Sequence, residues 1–261
     1  MKNFHTHTYL CKHAIGVPKD YAEAAQKASL SALGFSDHCP YFDDMWLGMH
    51  MEQNQVSLYR KLVDEARSVS DMPVYFGFEC EWHPRYRQWY KDGLIGEYKA
   101  QYLVFGPHWV DVDGVFEYIP EVTERKNIIR YVDLTIQGME SGLYSYIAHP
   151  DLFLDSVCEF TPFYKDLSKK IIEAACALKM PLEINGNGCI KPKVMRDGIE
   201  SYRYPVRQFW QLAAEMNAHI ILAADAHDPQ DVAENLRLAE AFARDLGINY
   251  DADYQPKFFN Q

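Results

Sequence analysis

The sequence predicts an α/β fold in which seven parallel strands alternate with helices. Three observations carry this expectation. Short apolar runs alternate with longer amphipathic stretches along the chain. The run Val74-Tyr-Phe-Gly-Phe-Glu79 is almost continuously apolar, as in a strand covered on both faces. Residues able to bind a metal recur at one phase, at or just beyond the downstream end of successive apolar runs. Strands that alternate with helices require right-handed crossovers, which keep the strands parallel. Periodicity alone does not choose between a barrel and an open sheet.

The elements follow in order. Lys2–His7 reads as the first strand, and Pro18 opens a helix to Ser31 with Tyr21, Ala24, Ala25 and Ala28 at helical spacing. Ala32–Ser36 is a short second strand, followed by an aromatic loop around Tyr41–Met51. Gln53–Val69 carries a stripe of Val56, Leu58, Tyr59, Leu62, Val63 and Ala66 and reads as a helix. After the strand Val74–Glu79 comes a helical or irregular piece, Pro84–Gly96. Tyr102–Phe105 is strand four, Asn127–Met139 a helix, Leu143–His149 strand five and Ser168–Leu178 a helix. Pro181–Asn185 is strand six and leads into a basic loop. Pro205–Met216 is a helix, His219–Ala224 strand seven and Pro229–Leu246 the last helix. One domain spanning residues 1–261 is expected, with the tail from Gly247 as a surface segment.

Composition narrows the function classes. The chain has 261 residues, of which 48% are hydrophobic, enough for a sizeable core. Its 26 basic and 37 acidic residues give a net charge of −11, and no Lys/Arg run occurs, which argues against a nucleic-acid partner. The start of the chain shows no apolar signal region, and no stretch reaches membrane-spanning length. Six cysteines without CxxC spacing read as reduced thiols. The expectation is a cytoplasmic protein with a small-molecule substrate.

His5-Thr-His7 sits on the first strand, where residues two apart share a face, so both imidazoles reach one ion. His13 follows on the loop, Asp37-His38 follow strand two, Glu79 ends strand three and His108 follows strand four. His149 ends strand five, and Asp225 and His227 follow strand seven. In a parallel barrel these strand ends share one face, and that face carries the chemistry. Imidazoles with a few carboxylates suit Zn, Mn or Fe rather than Ca. The set exceeds what one ion can use, so two to three divalent ions are expected. Bridged ions lower the pKa of a shared water and clamp both oxygens of an in-line displacement, which favours a phosphate ester as substrate.

The set His5-x-His7, His13, Asp37-His38, Glu79, His108, His149-Pro-Asp151 and Asp225-x-His227 resembles the PHP (polymerase and histidinol phosphatase) superfamily over residues 2–240. The resemblance implies a distorted (β/α)7 barrel and, by position, three metal groups. His5, His7, Glu79 and Asp225 would hold one ion. Glu79, His108 and His149 would hold a second, with Glu79 as the bridge. His13, His38 and His227 would hold the third. Gly34-Phe-Ser-Asp-His38-Cys-Pro40, Gly106-Pro-His108-Trp109, His149-Pro-Asp151-Leu152 and Ala224-Asp-Ala-His227-Asp-Pro229 are similar to blocks of its monofunctional histidinol-phosphatase branch. That branch implies hydrolysis of L-histidinol phosphate in histidine biosynthesis.

Two departures concern the phosphate. The branch carries an arginine shortly after its His-Pro-Asp block, where this chain has Leu152-Phe-Leu-Asp155. It carries another after strand six, where this chain has Ile190. Lys191, Lys193, Arg196 and Arg203 in the same loop are the candidate replacements, and a lysine would bind as a point charge rather than a fork. Asp37 reads either as a group that orients water or protonates the leaving group, or as a partner of a ligating imidazole. His50, His83 and His219 fall outside the pattern. Of the rival readings, an amidohydrolase is disfavoured by Glu79 and the Asp-x-His ending. A non-catalytic relative is disfavoured by the complete ligand set.

Overall fold

In the computed structural model, which describes residues 1–259, seven strands form one parallel sheet. They are β1 (Lys2–Asn3), β2 (Ala32–Phe35), β3 (Val74–Cys80) and β4 (Tyr102–Phe105), then, after a hairpin, β7 (Tyr146–Ile147), β8 (Leu182–Asn185) and, after a second hairpin, β11 (Ile220–Ala223). Their spatial order is their chain order, and every neighbouring pair is parallel. Beyond β1 the backbone pairs with the end of β11 through a bridge between Thr6 and Ala226, and the His7 N–H donates to the Ala226 carbonyl at 2.9 Å. The sheet is thereby nearly closed into a seven-stranded barrel.

β1 is shorter than its apolar pattern because Asn3 replaces ladder bonds with its own amide. Asn3 Oδ1 accepts from the N–H groups of His5 and Ala224, and Nδ2 donates to the His5 carbonyl and to Thr6 Oγ1. β7 keeps only two of the seven expected residues. The chain turns at His149, whose φ is 31°.

Outside the barrel lie α1 (Pro18–Lys27), α2 (Val56–Ser68), the short α3 (Arg87–Trp89), α4 (Arg125–Glu140), α5 (Pro162–Leu178), α6 (Arg207–Glu215) and α7 (Asp231–Asp245). α3 runs into a π-helical turn, Tyr90–Glu97. α1 stops before Ser31 because Ser29 takes a left-handed φ of 61°. α5 starts at Pro162, six residues before Ser168, in keeping with proline at the first helical position.

Two antiparallel hairpins were not expected. They are β5 (Trp109–Val112) with β6 (Val115–Tyr118), and β9 (Val194–Arg196) with β10 (Ile199–Ser201). Each turns on an Asp-Gly pair, Asp113-Gly114 and Asp197-Gly198, with both residues at positive φ. That is the chemistry a tight hairpin turn demands.

The tail from Gly247 is mostly exposed and turns a few side chains in against the N-terminal mouth of the barrel. Tyr254 and Phe258 pack on the buried cluster of Phe4, Tyr102 and Tyr146, and Tyr254 donates to the Ser145 carbonyl at 2.9 Å. The Phe259 N–H closes the contact on the Gln101 carbonyl at 2.7 Å. No helix among the described residues is long and apolar enough to cross a membrane.

Candidate metal centre

All nine expected ligands meet at the C-terminal mouth of the barrel. Their centre is Glu79, at the end of β3. Its Oε1 lies 3.4 Å from His5 Nε2, 3.1 Å from His149 Nε2 and 3.8 Å from His108 Nε2. Its Oε2 lies 3.4 Å from His7 Nε2 and 3.2 Å from His38 Nδ1. A Cβ at position 106 would fall 2.1 Å from Glu79 Oε1, so glycine there lets the carboxylate lie against the β4 chain. Asp225 offers Oδ1 to His7 Nε2 at 3.0 Å and to His5 Nε2 at 3.4 Å. Its Oδ2 is held by the amides of Asn185 and Asn187 at 3.1 and 3.2 Å. Asp225 sits at a φ of 49°, so this ligand, like His149, occupies strained backbone.

Two of the rings are oriented by carboxylates that the sequence pattern did not single out. His5 Nδ1 pairs with Glu183 Oε2 at 2.8 Å, and His108 Nδ1 pairs with Glu81 Oε1 at 2.6 Å. Behind His7 lies Asp37, with Oδ1 at 3.5 Å from Nδ1. Carboxylates in this position fix the tautomer and raise ligand basicity. Asp37 itself is fully buried. It accepts from the Thr8 N–H, the Thr8 hydroxyl and the His38 N–H. It does not line the cleft and lies behind the His7 ring, where a carboxylate can back an imidazole. His13 and His227 are tied by Nδ1 to the carbonyls of Cys11 and Asp225 at 2.8 and 3.0 Å, which frees Nε2 on each.

Charge follows from these neighbours. Burial works against a charged His5, but Glu183, Asp225 and Glu79 outweigh it and hold the ring well above its ordinary range. Burial likewise opposes charge on His108, and Glu81 and Glu79 lift it to about 9. Burial disfavours the Glu79 anion, yet His5, His108 and His38 draw it well below the usual carboxylate range. Asp225 is lowered in the same way by His5 and His7 against its burial. Two other rings go the opposite way. Burial, with His7 beside it, pushes His227 down to about 3, and burial pushes His50 down to about 3.

The donor set fits divalent metal. His5 Nε2, both nitrogens of His7, His149 Nδ1 and Asp225 Oδ1 are buried with no hydrogen-bond partner among the described residues. Unpaired polar atoms are rare in a folded interior, and five of the ten among the described residues gather here, which fits a site able to hold metal. The second expected group, Glu79, His108 and His149, assembles with ligand atoms within 4.8 Å of one another, and so do three members of the first, His5, His7 and Asp225, without Glu79. The third differs in detail. His38 and His227 meet His7, while His13 and His227 meet Cys11.

Around this centre opens a cleft of about 830 Å³. Of the four basic candidates, Lys191 and Arg203 line it, and Arg203 is held by Asp155 at 2.7 Å. Lys193 stands on the β9–β10 hairpin beside Glu200, at 3.4 Å. Arg196 is buried, and its guanidinium donates to the carbonyls of Leu154, Asp155, Val157, Tyr202 and Arg203. It clamps two loops together and does not line the cleft. Trp109, Tyr118 and His50 line the cleft as well, whereas His83 faces Asp111 and His219 pairs with Asp251, both outside it.

A family profile for the PHP domain matches residues 3–187. The chain belongs to the PHP domain family. It is 28% identical over 256 residues to a protein named probable histidinol-phosphatase from Deinococcus radiodurans, covering 93% of this chain and 92% of that one. A Schizosaccharomyces pombe protein of the same name is 24% identical, over 94% of this chain and 86% of its own length. Among solved structures, a histidinol phosphate phosphatase from Lactococcus lactis, in complex with zinc, L-histidinol and phosphate, superposes with a TM-score of 0.68 at 14% identity, covering 95% of this chain and 94% of that one. A Listeria monocytogenes protein assigned as a histidinol phosphatase gives 0.70 at 17% identity, over 89% of this chain and 97% of that one. These likenesses establish the PHP-type (β/α)7 barrel.

Proposed function

We propose that this PHP domain is a metal-dependent phosphomonoesterase that hydrolyses L-histidinol phosphate to L-histidinol and phosphate. The observation that carries the reading is the convergence of five imidazoles on Glu79 in a cleft with Lys191 and Arg203 in its wall. The names of the two relatives and the ligands of the Lactococcus structure point to the same ester.

His5, His7, Glu79 and Asp225 would hold one ion, Glu79, His108 and His149 a second, and His13, His38 and His227 a third of the Zn, Mn or Fe type. When bound, such ions supply the Lewis acidity that activates water near neutral pH and offsets charge on a transferring phosphoryl group. The chain's own residues do the rest. Glu183 and Glu81 keep His5 and His108 in the tautomer that presents Nε2 to the centre. Asn185 and Asn187 aim Asp225 Oδ1 inward. Arg203, anchored at Nη1 by Asp155, turns its remaining donors to the phosphate, and Lys191 adds a point charge. Trp109 and Tyr118 screen the reacting face from bulk water.

A second reading, hydrolysis of another small phosphate ester or a nucleotide, is favoured by the departures at Asp155 and Ile190 and by a cleft larger than one histidinol phosphate needs. One experiment separates the two. The purified protein is stripped by chelation, reloaded with Zn, Mn or Fe, and assayed on histidinol phosphate, p-nitrophenyl phosphate and a nucleotide panel. Activity that depends on metal and prefers histidinol phosphate is expected. Activity that survives complete metal removal refutes the mechanism, and preference for another ester refutes the substrate.

A further inference from the structure

We propose that His50 is a substrate-reading residue of this site, whose Nε2 accepts a hydrogen bond from an N–H group on the alcohol half of the phosphate ester. The inference rests on the phosphatase reading above and adds a residue that the ligand pattern leaves out.

His50 is only 3% exposed, yet it lines the cleft. Its Nδ1 lies 2.8 Å from the Cys39 carbonyl oxygen. A carbonyl only accepts, so Nδ1 carries the proton, and in the neutral ring the lone pair is at Nε2. Among the described residues Nε2 has no hydrogen-bond partner, and it is not one of the sealed unpaired atoms of the metal centre. His50 joins none of the metal-holding groups. The ring is also fixed in place. It packs 4.7 Å from His38, edge-on to Tyr41 at 5.3 Å and tilted over Trp46 at 5.7 Å, and its N–H bonds the Trp46 carbonyl at 3.1 Å. A fixed buried acceptor open to a cleft, with nothing among the described residues to satisfy it, is built for a donor that arrives with a ligand.

Position gives the class of donor. His50 follows β2, whereas Lys191 and Arg203 follow β8, and three strands on one side and two on the other separate them around the barrel. An ester anchored by its phosphate at the basic wall extends its alcohol across the mouth toward His50, Met49 and Trp109. This wall is apolar and aromatic apart from the one nitrogen acceptor. It suits an alcohol that carries an amine or an N–H azole and gives nothing extra to one that lacks an N–H.

The test compares His50→Phe and His50→Gln with the wild type, all metal-loaded, on histidinol phosphate and on p-nitrophenyl phosphate, which has no N–H donor. For His50→Phe, KM for histidinol phosphate should rise about tenfold or more, kcat/KM for p-nitrophenyl phosphate should fall less than about threefold, and His50→Gln should recover part of the loss. Metal content by elemental analysis should match the wild type. In protein labelled with ¹⁵N-histidine, L-histidinol should move the His50 Nε2 resonance. Equal losses on both substrates, or loss of metal, would make His50 a structural or ligating residue and overturn the assignment. A fall in kcat for histidinol phosphate at unchanged KM would make it a proton donor and overturn it too, as would an unmoved Nε2 resonance. If the wild type hydrolyses p-nitrophenyl phosphate but not histidinol phosphate, the substrate reading itself fails and takes His50 with it, a result visible before any variant is made.

Discussion

The two mouths of the barrel bury rings in comparable number and treat their polar atoms in opposite ways. At the N-terminal mouth, Phe4, Tyr102, Tyr146 and the tail residues Tyr254 and Phe258 pack together, and each tyrosine hydroxyl is matched. Tyr102 and Tyr146 both donate to the Phe4 carbonyl at 2.9 Å, and Tyr254 donates to Ser145. At the C-terminal mouth the rings are imidazoles, and four of their nitrogens are buried without a partner. One end spends its burial on packing, and the other leaves it uncompensated until ions arrive. Chemistry at the C-terminal face and stability at the other is the division expected of parallel barrels. Here two consecutive residues join the two, since Phe4 belongs to the bottom cluster and His5 faces Glu79.

The largest expected effect is at Glu79, where the comparison would break first. Glu79→Gln keeps the shape but removes the charge that five rings face. Activity should fall by about three orders of magnitude, with fewer bound ions by elemental analysis. An active Glu79→Gln protein with full metal content would mean that Glu79 bridges nothing. Next come the carboxylates behind the rings. Glu183→Gln and Glu81→Gln should each cost about ten- to a hundredfold in metal affinity or activity, read by titration of the stripped protein with zinc. Unchanged affinity in both would show that the tautomers of His5 and His108 are set some other way.

The opposite mouth should respond in the other observable. Tyr254→Ala removes a ring that packs on Phe4 and Tyr146, together with one hydrogen bond. A loss of about 2 kcal/mol, or about 5 °C in melting temperature, is expected with kcat nearly unchanged. A large fall in kcat with intact melting would show that the plug positions the metal face through Phe4 and His5.

Much of this division is legible in the sequence, because ligands at strand ends keep a phase that a linear pattern displays. Tyr102–Phe105 was bounded correctly, since a four-residue apolar run between turns has one reading. Glu81 was missed although the rule that paired His5 with His7 extends to it: two residues after Glu79 and just past the end of β3, it reaches the same side, against His108. Glu183 left a signal too, as a carboxylate inside the apolar run Leu182–Asn185, whose purpose shows only when His5 lies across the barrel. The pairs Asp113-Gly114 and Asp197-Gly198 mark both hairpin turns in the sequence. Arg196 and the tail were not decidable in one dimension. The loop around Arg196 is basic whether its guanidinium faces a phosphate or five carbonyls. Tyr254 meets Phe4 across 250 residues of chain.

The smallest expected effect separates the two mouths by pH. In stripped protein, His108 is held up to about 9 from an ordinary 6.5, and His5 and His7 are raised with it. A raised histidine contributes its full stability below about pH 6.5, the unfolded value, and loses it as pH climbs through the folded value. His227 and His50, lowered to about 3, act in the other direction, because below about pH 6.5 the unfolded chain binds protons that these rings refuse. Stripped protein should therefore melt highest near pH 6.5 and lose a few degrees on either side. Loading with zinc fixes the rings as neutral ligands and should flatten the profile between about pH 6.5 and 9. Tyr254→Ala should lower the stripped curve without altering its shape, since no titrating ring of the cluster touches the plug. A flat profile for stripped protein, or a Tyr254→Ala curve of different shape, would mean that the two ends do not titrate apart.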